Sequence, residues 1–482
     1  MTVTSIVGRA PSRRPLVAAL CCGYFLVLLD VTVVNVALPQ IGAGLHTAGA
    51  GLAWVVDAYS VPLASLLLAS GAIGDRLGHR DVVIAGFAAF GAASVLCALA
   101  SDMAVLVAGR ALQGAGAALA LPGTLAVLAS TAPDERARTR VVGIWAAVGG
   151  AALPAGPLVG GLLVEAASWR AVFWVSVPVI LAALPPIVRL PRDEGSRSQS
   201  PDGARRDAVG RNGVDQGGAV LLVAGMGGAV TAVIEAGANV ALAVAFGVLA
   251  VFAGAGFLGW ERRATHPLLR VPRAARRPLA AACLVAGLMN LCSLGSLFLL
   301  TQTFQDVHRL SPLASGLLLL PAMLPLPLLG TTAGRLAGRV GAWRASALGL
   351  LVAAVGLAGV AVGLGGLRGV GGPGYPLLLV SLAVWGTGLG LLTPAIVAAA
   401  LRAVPGGPGI ASGASNTARQ AGGALGVAVF AAFAGNPGSG GNPGSAVGAA
   451  FAGHSARLLG VGALLFAVAA GLCFALPGDR RG

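Results

Sequence analysis

A carboxylate set inside an apolar run is the first residue in this chain with the means to do chemistry. The segment Leu29-Asp-Val-Thr-Val-Val-Asn-Val-Ala-Leu-Pro39 carries Asp30 midway along such a run. An ionisable group there is expensive and marks a functional site by default. Burial favours the neutral form of a carboxyl and a neighbouring guanidinium favours the ionised form, so a group held between the two can load and unload a proton near neutral pH. A second run supplies the guanidinium. Arg110, Gln113, Gly114 and Ala117 recur at i, i+3, i+4 and i+7, which is one helical face, and Arg110 should face a cavity and have a partner. Asp57, in Trp54-Val-Val-Asp-Ala-Tyr-Ser60, lies a few residues into another run from its outer end. It reads as a second proton or cation site, or else as an interfacial residue. Trp54 and Tyr59, together with Tyr24, are the aromatic groups able to take part in stacking on a cation.

Two glycine-rich segments read as moving parts. Gly71-Ala-Ile-Gly-Asp-Arg-Leu-Gly-His-Arg80 is a tight turn carrying both signs of charge, in which Gly74 and Gly78 permit backbone shapes closed to other residues. Asp75 sits at a helix end where it can pair with an Arg of another helix. Such a clasp, with Arg76 and Arg80, is suited to holding one conformational state and releasing it. The other segment is Gly149-Gly-Ala-Ala-Leu-Pro-Ala-Gly-Pro-Leu-Val-Gly-Gly161. Gly149, Gly156 and Gly160 share a face on which another helix can pack backbone-close, and Pro154 and Pro157 remove ladder bonds and kink the helix.

The elements that position these groups are set by composition. The 482 residues are 56% hydrophobic and only 10% charged, against about 25% charged in soluble proteins. A soluble fold and disorder are both excluded. Runs of the roughly 20 apolar residues that a spanning helix needs fall at 16–38, 53–73, 82–100, 104–124, 141–163, 171–190, 216–235, 240–260, 279–301, 313–334, 345–367, 375–398, 410–434 and 457–476. Fourteen spans are therefore expected in an all-α integral membrane protein. A net charge of +15 with every basic residue Arg would suggest nucleic acid on a soluble chain. Here 26 of the 32 Arg fall at the termini, in loops after even-numbered spans or, for Arg189, at the end of such a span. By the positive-inside rule both termini and those loops are cytoplasmic, the excess is topological, and no nucleic-acid partner is expected. Six Cys lie within spans without C-x-x-C spacing and read as packing residues rather than disulfides or metal ligands.

Residues 71–78 (GAIGDRLG) recur imperfectly at 334–341 (GRLAGRVG), with Gly71, Arg76 and Gly78 matching Gly334, Arg339 and Gly341. Both copies follow the second span of a six-span block if spans 7 and 8 are inserted between two blocks. A parallel repeat of six-helix halves is a plan of secondary transporters, with the substrate site at the midplane. The expected layout is an N-terminal half (1–190), a cytoplasmic linker (191–215), inserted helices 7–8 with a basic linker (216–278), and a C-terminal half (279–482).

In order and spacing, these segments resemble those of the major facilitator superfamily, in particular its fourteen-helix drug:proton antiporter branch. Gly71–Arg80 looks like that family's loop between helices 2 and 3, Leu106–Ala118 like its helix-4 motif, Gly149–Gly161 like the helix-5 motif associated with antiporters, and Leu29–Pro39 like the helix-1 motif of the branch. Glu261–Pro267, Ser311–Gly316 and Gly409–Gly423 add to the likeness, and Asp57 within WVVDAYS looks like members that export cationic antiseptics and dyes. His79 departs from the family's usual Arg or Lys, Ser176 from its usual Asn, and the Gly-Asn-Pro-Gly-rich stretch 435–446 is low in complexity.

The resemblance implies two six-helix halves with two inserted helices, which export hydrophobic or cationic drugs from the cytoplasm against inward-moving protons by alternating access. In that reading Asp30 and Arg110 couple the proton. Asp57, Trp54, Tyr59 and Gln113 bind substrate, Gly71, Asp75, Arg76, Gly78 and Arg80 form the latch, and Gly149, Gly156, Pro157, Gly160 and Gly161 form the antiporter helix. Its partners are a drug-like small molecule, protons and the lipid bilayer of a bacterial plasma membrane; the protein is expected to be a monomer with no cofactor, no metal and no enzymatic activity. The rivals are a proton-coupled symporter and a dedicated exporter of an endogenous secondary metabolite. ATP-driven pumping is excluded by the lack of a P-loop and of any Lys.

Overall fold

The computed structural model describes residues 13–132, 134–190, 215–236, 239–264, 271–365, 374–404, 408–435 and 446–475. All of the expected linker but Asp215, and nearly all of the low-complexity stretch, lie outside them. The described residues form helices and no strand. They are α1 (Arg13–Gly44), α2 (Ala50–Leu77), α3 (His79–Ala98), α4 (Met103–Ser130), α5 (Glu135–Ala166), α6 (Ala171–Trp174), α7 (Ser176–Val188), α8 (Gln216–Glu235) and α9 (Val240–Arg263). Next comes α10 (Arg273–Gln302), which runs into a π turn (Thr303–Val307), then α11 (Pro312–Met323), α12 (Pro325–Val340), α13 (Ala342–Gly365), α14 (Tyr375–Ala403), α15 (Pro408–Ala434) and α16 (Ala446–Ala475).

Thirteen segments among the described residues are long and apolar enough to cross a membrane, counting α6 with α7 and α11 with α12 as single crossings. The remaining long helix, α15, has 27 residues, but its Ser-Asn-Thr-Ala-Arg-Gln stretch (415–420) makes it too polar to join them. Starts are fixed by side chains that satisfy the orphan N–H groups of a first turn. Val105 N–H donates to Asp102 (3.0 Å), Ala137 N–H to Asp134 (2.7 Å), Gly218 N–H to Asp215 (2.8 Å) and Leu242 N–H to Asn239 (3.1 Å). Several of the scarce acidic residues are thus spent on helix starts outside the apolar core.

Three boundaries differ from the sequence reading. The expected turn over 71–80 is helix as far as Leu77, and the connection to α3 is the single residue Gly78 at φ 94°. Its repeat counterpart Gly341, between α12 and α13, takes φ 91°. Both lie in the left-handed region that glycine enters without a Cβ clash, so the two sequence copies are copies in backbone shape as well. The tenth run breaks at Leu324, where Pro325 and Pro327 withhold ladder N–H groups. The last helix begins at Ala446, eleven residues before the apolar run at 457.

Packing is pairwise and close. α1 lies on α5, α2 and α3 on α4, α10 on α15, and α13 on α14 and α16. α8 rests on both α2 and α15, whereas α9 packs mainly on α8 and leaves Val240, Val251 and Phe252 exposed, as a lipid-facing helix can. Small residues let backbones meet. A Cβ at Gly86 of α3 would fall 2.7 Å from the Ala120 nitrogen of α4, and one at Gly422 of α15 would fall 2.0 Å from the Gly287 oxygen of α10.

Candidate functional site

Asp30 and Arg110 come together in the middle of the first helices. α1 carries Asp30 and α4 carries Arg110, at 2% and 1% exposure. Arg110 Nη1 donates to Asp30 Oδ2 at 2.5 Å and to Gln113 Oε1 at 2.8 Å, while Arg110 Nε donates to the Val55 carbonyl of α2 at 2.9 Å. Gln113 Nε2 donates in turn to Ser94 Oγ of α3 (2.8 Å), and Cys97 Sγ reaches Gln113 Oε1 at 3.5 Å. The guanidinium lies 4.4 Å from the centre of the Tyr59 ring and 5.9 Å from that of Phe173, close enough for cation–π attraction. Tyr59 is itself held by donating to the Val27 carbonyl at 3.0 Å.

The Arg-x-x-Gln-Gly spacing has a packing reason beside the chemical one. A Cβ at Gly114 would lie 2.2 Å from the Tyr59 carbonyl oxygen, so this glycine lets α4 approach α2 closely enough for Arg110 to reach Val55. One atom of the network is left over. Asp30 Oδ1 is buried and has no hydrogen-bond partner among the described residues. The arrangement is therefore a desolvated ion pair with one free carboxylate oxygen, where a proton can add at the cost of the pair.

The expected substrate group does not hold together. Tyr59 and Gln113 belong to the Arg110 network, but Asp57 lies on the far side of α2. Residues two apart on a helix point about 200° apart. The face of Asp57 and Trp54 continues through Val61 and Ser65, which meet Gly227 and Met226 of α8, and through Leu68, which meets Gly413 of α15. Asp57 is fully buried with both oxygens unpartnered, and Trp54 is half-buried. Asp57 is therefore enclosed by protein rather than exposed at the end of its helix.

The latch region is corrected too. Asp75 pairs with His79 on the next turn (3.1 Å) rather than with an Arg of another helix, and it is 80% exposed. The tie between helices is made by Arg80, which donates to the Val188 carbonyl at the end of α7 and also pairs with Asp81. Arg76 is exposed, and nothing lies within 4 Å of where a Cβ at Gly71 would be. The single residue Gly78, whose N–H donates to the Gly74 carbonyl at 2.9 Å, joins α2 to α3.

Along α5, Gly149 lies under the Tyr24 ring, Gly156 against Thr32 and Gly160 against Val33, so this glycine face is the seat of α1. A second face, which the sequence reading left undivided, meets α11 and α12. Gly161 abuts Leu313, Gly150 abuts Pro327, and the Pro157 carbonyl lies 2.2 Å from a Cβ placed on Gly316. Two further ties in the same region escaped the sequence reading. Gln305 Nε2 donates to the Val36 carbonyl at 2.9 Å, and Leu313 N–H donates to Glu165 at 3.3 Å. Polar residues at the ends of apolar runs are common, so no spacing singled these out. Tyr24 stacks on Trp145 with ring centres 4.0 Å apart, and Arg419 of α15 is half-buried with an unpartnered Nε.

Comparison with known proteins places this architecture. The sequence profile of the Major Facilitator Superfamily matches residues 20–427. The chain is similar to the drug efflux pump JefA of Mycobacterium tuberculosis, 33% identical over 87% of this chain and 80% of the relative. It is 34% identical to the tetracenomycin C resistance and export protein of Streptomyces glaucescens, over 86% of this chain and 75% of the relative. It is also 34% identical to the methylenomycin A resistance protein of Bacillus subtilis, over 85% of each. Among solved structures, the peptide transporter POT in complex with sulfate shares the fold at TM-score 0.66 and 17% identity, covering 95% of this chain and 94% of that one. A D-xylose-proton symporter does so at TM-score 0.65 and 13% identity, over 97% and 98%.

Proposed function

The chain belongs to the Major Facilitator Superfamily, and on that premise we propose that it is a proton-coupled antiporter exporting hydrophobic, drug-like compounds across the plasma membrane. The observation that carries the coupling is the buried Asp30–Arg110 pair at 2.5 Å with its free oxygen. Similarity to efflux and resistance proteins supports the direction of transport. In this reading α15 is the fourteenth span, the halves are 1–190 and 279–482, 191–215 is a cytoplasmic linker, and 216–278 holds the two inserted helices and a basic linker. Both termini are cytoplasmic. The matching Gly78 and Gly341 turns support the two-half plan.

Alternating access then acts as follows. The ties Gln305–Val36, Leu313–Glu165, Gly161–Leu313 and Gly316–Pro157 close the outer ends of the halves. In this reading a state with those outer ties made takes its cargo from the cytoplasm. Opening outward must break the outer ties, with α5 as the packing helix. A proton arriving from outside adds to Asp30 Oδ1 and dissolves the ion pair. Arg110 keeps its bonds to Gln113 and Val55, so α4 loosens from α1 while staying on α2. Return to the inward state and cargo binding expel the proton to the cytoplasm and restore the pair. Gly71, Asp75, Arg76, Gly78 and Arg80 bias the rocking through the α2–α3 joint and the Arg80–Val188 tie.

A second reading, dedicated export of a compound made by the same cell, is favoured by the likeness to the tetracenomycin C export protein. The test of coupling is exchange in inverted vesicles. Wild-type protein should dissipate an imposed inside-acid gradient when a transported compound is added, and Asp30→Asn should abolish this. Normal exchange by Asp30→Asn would remove Asp30 from the mechanism. Resistance profiles in a host lacking its own pumps then identify the cargo.

A further inference from the structure

Two seams join early helices to late ones. One runs between α2 and α15, the other between α5 and the crossing made by α11 and α12. The repeat that matches Gly71, Arg76 and Gly78 to Gly334, Arg339 and Gly341 makes α2 and α12 counterparts. The first seam is shut. A Cβ at Gly413, near the start of α15, would stand 3.0 Å from the Leu68 side chain, and α8 packs on both helices, with Met226 at Ser65 and Gly227 at Val61.

The second seam opens along its length. A Cβ at Gly316 would stand 2.2 Å from the Pro157 oxygen and one at Gly161 2.6 Å from Leu313 Cα, but one at Gly150 reaches Pro327 at 3.5 Å. Gly143 precedes Gly161 by 18 residues, five turns, and so shares its face; nothing among the described residues lies within 4 Å of its Cβ position. The Pro327 face of α12 continues through Gly330, Gly334 and Gly338, whose Cβ positions are equally open. Apart from α11, which leads into α12, no described helix packs on both α5 and α12 as α8 packs on α2 and α15. The resulting cleft sets Gly143, Ala147 and Gly150 against Pro327, Gly330 and Gly334, and no charge lines it. Its mouth is basic. Arg136 and Arg140 continue the Gly143 face one and two turns out, Arg335 and Arg339 flank the α12 glycines, and all four are exposed. Asp134 lies on the opposite face of α5 and is engaged with Ala137 N–H, while Glu135 falls to one side.

We propose that the α5–α12 cleft binds an anionic phospholipid, with an acyl chain between the glycine faces and the phosphate among the arginines at the mouth. Basic pockets between membrane helices on the cytoplasmic side take anionic head groups, and a guanidinium meets a phosphate with two parallel N–H donors. The mouth is cytoplasmic in the topology proposed above. At the α2–α15 seam a protein helix, α8, supplies the apolar cover; here the lipid does. Closing the cleft would expel the lipid, so the lipid favours the state in which the outer ties are made. The site requires no particular cargo or direction of transport.

Phosphatidylglycerol carrying a diazirine in its acyl chain tests this on purified full-length protein in nanodiscs. After irradiation and proteolysis, adducts should map to α5 and α12 around Gly143 and Gly334. Unlabelled phosphatidylglycerol should compete them away about tenfold or more better than phosphatidylcholine of the same chains, as two or more arginines near one phosphate imply. Arg136→Gln with Arg140→Gln should erase that preference. Arg262→Gln with Arg263→Gln, which takes the same charge from the end of α9, should leave it. Gly143→Trp fills the slot without altering charge and should lower labelling. Absence of adducts on α5 and α12, equal competition by the two lipids, or a preference that survives the loss of Arg136 and Arg140 overturns the proposal. So does labelling by both lipids alike that a transported compound displaces, which would give the cleft to cargo instead. The wild-type map decides even if a variant fails to fold.

Discussion

The Asp30–Arg110 pair can be measured as an interaction. Both side chains are almost fully enclosed, so removing one leaves the other desolvated, and breaking a buried pair from one side costs about 3–5 kcal/mol. Arg110→Gln is the full case, since it also takes a donor from the Val55 carbonyl. Asp30→Asn is milder. The amide oxygen can still accept from Arg110 Nη1, so the loss is the difference between a charged and a neutral hydrogen bond, about 1–2 kcal/mol. In the double variant neither charge remains to be stranded. It should be more stable than the two single losses predict, by about 2 kcal/mol of coupling. The assay is denaturant unfolding in mixed micelles followed by tryptophan fluorescence, with all four proteins in one detergent. Single effects that add to within about 0.5 kcal/mol would refute the claim that the two charges are held as a pair. The double variant should fold yet fail in vesicle exchange, because the proton site is gone.

Three other outcomes follow from the same geometry. Gly114→Ala forces a Cβ onto the Tyr59 carbonyl and should lower stability by about 1–3 kcal/mol, whereas Gly143→Ala, with open space beside it, should not; melting curves compare the two. Asp57→Asn should leave the melting temperature unchanged or raise it, since both its oxygens are buried without partners; a marked fall would reveal a counter-charge. Outside the membrane, the Val105 N–H bond to Asp102 holds its carboxyl below the usual carboxylate range. A depressed folded value means its contribution is present above the ordinary carboxylate pKa and is lost as pH falls through the lowered one. Thermal melts should therefore show an acid-side loss that Asp102→Ala removes, and Asp102→Asn, which still caps, should keep the neutral-pH stability.

Much of the site was legible because some of its signals are local. The periodicity of Arg110, Gln113 and Gly114 placed them on one face, and an isolated Asp in an apolar run announced itself. What periodicity cannot supply is the neighbour that a face meets. Trp54, Asp57 and Tyr59 sit within six residues, yet Tyr59 joins Arg110 while Asp57 lies on the opposite face of α2. Asp75 looked ready for an Arg of another helix, but His79 one turn on was nearer. The helix-ending Gly78 was read as part of a ten-residue turn because glycine content does not say how many residues leave the helix.

The sequence by itself determined that this chain lives in a membrane, how many apolar runs it has and which family it resembles. Those properties come from the partition of stretches of about 20 residues between water and lipid and from short motifs, and both can be read without knowing what touches what. Only the tertiary structure decided that Asp30, 80 residues from Arg110, is its partner, that the α5 glycines serve α1 on one face and α11 on the other, and that Arg419 has no carboxylate partner among the described residues. In lipid, helices choose neighbours by close packing and polar pairing rather than by hydrophobicity. Those contacts exist only between surfaces that the fold has already brought together.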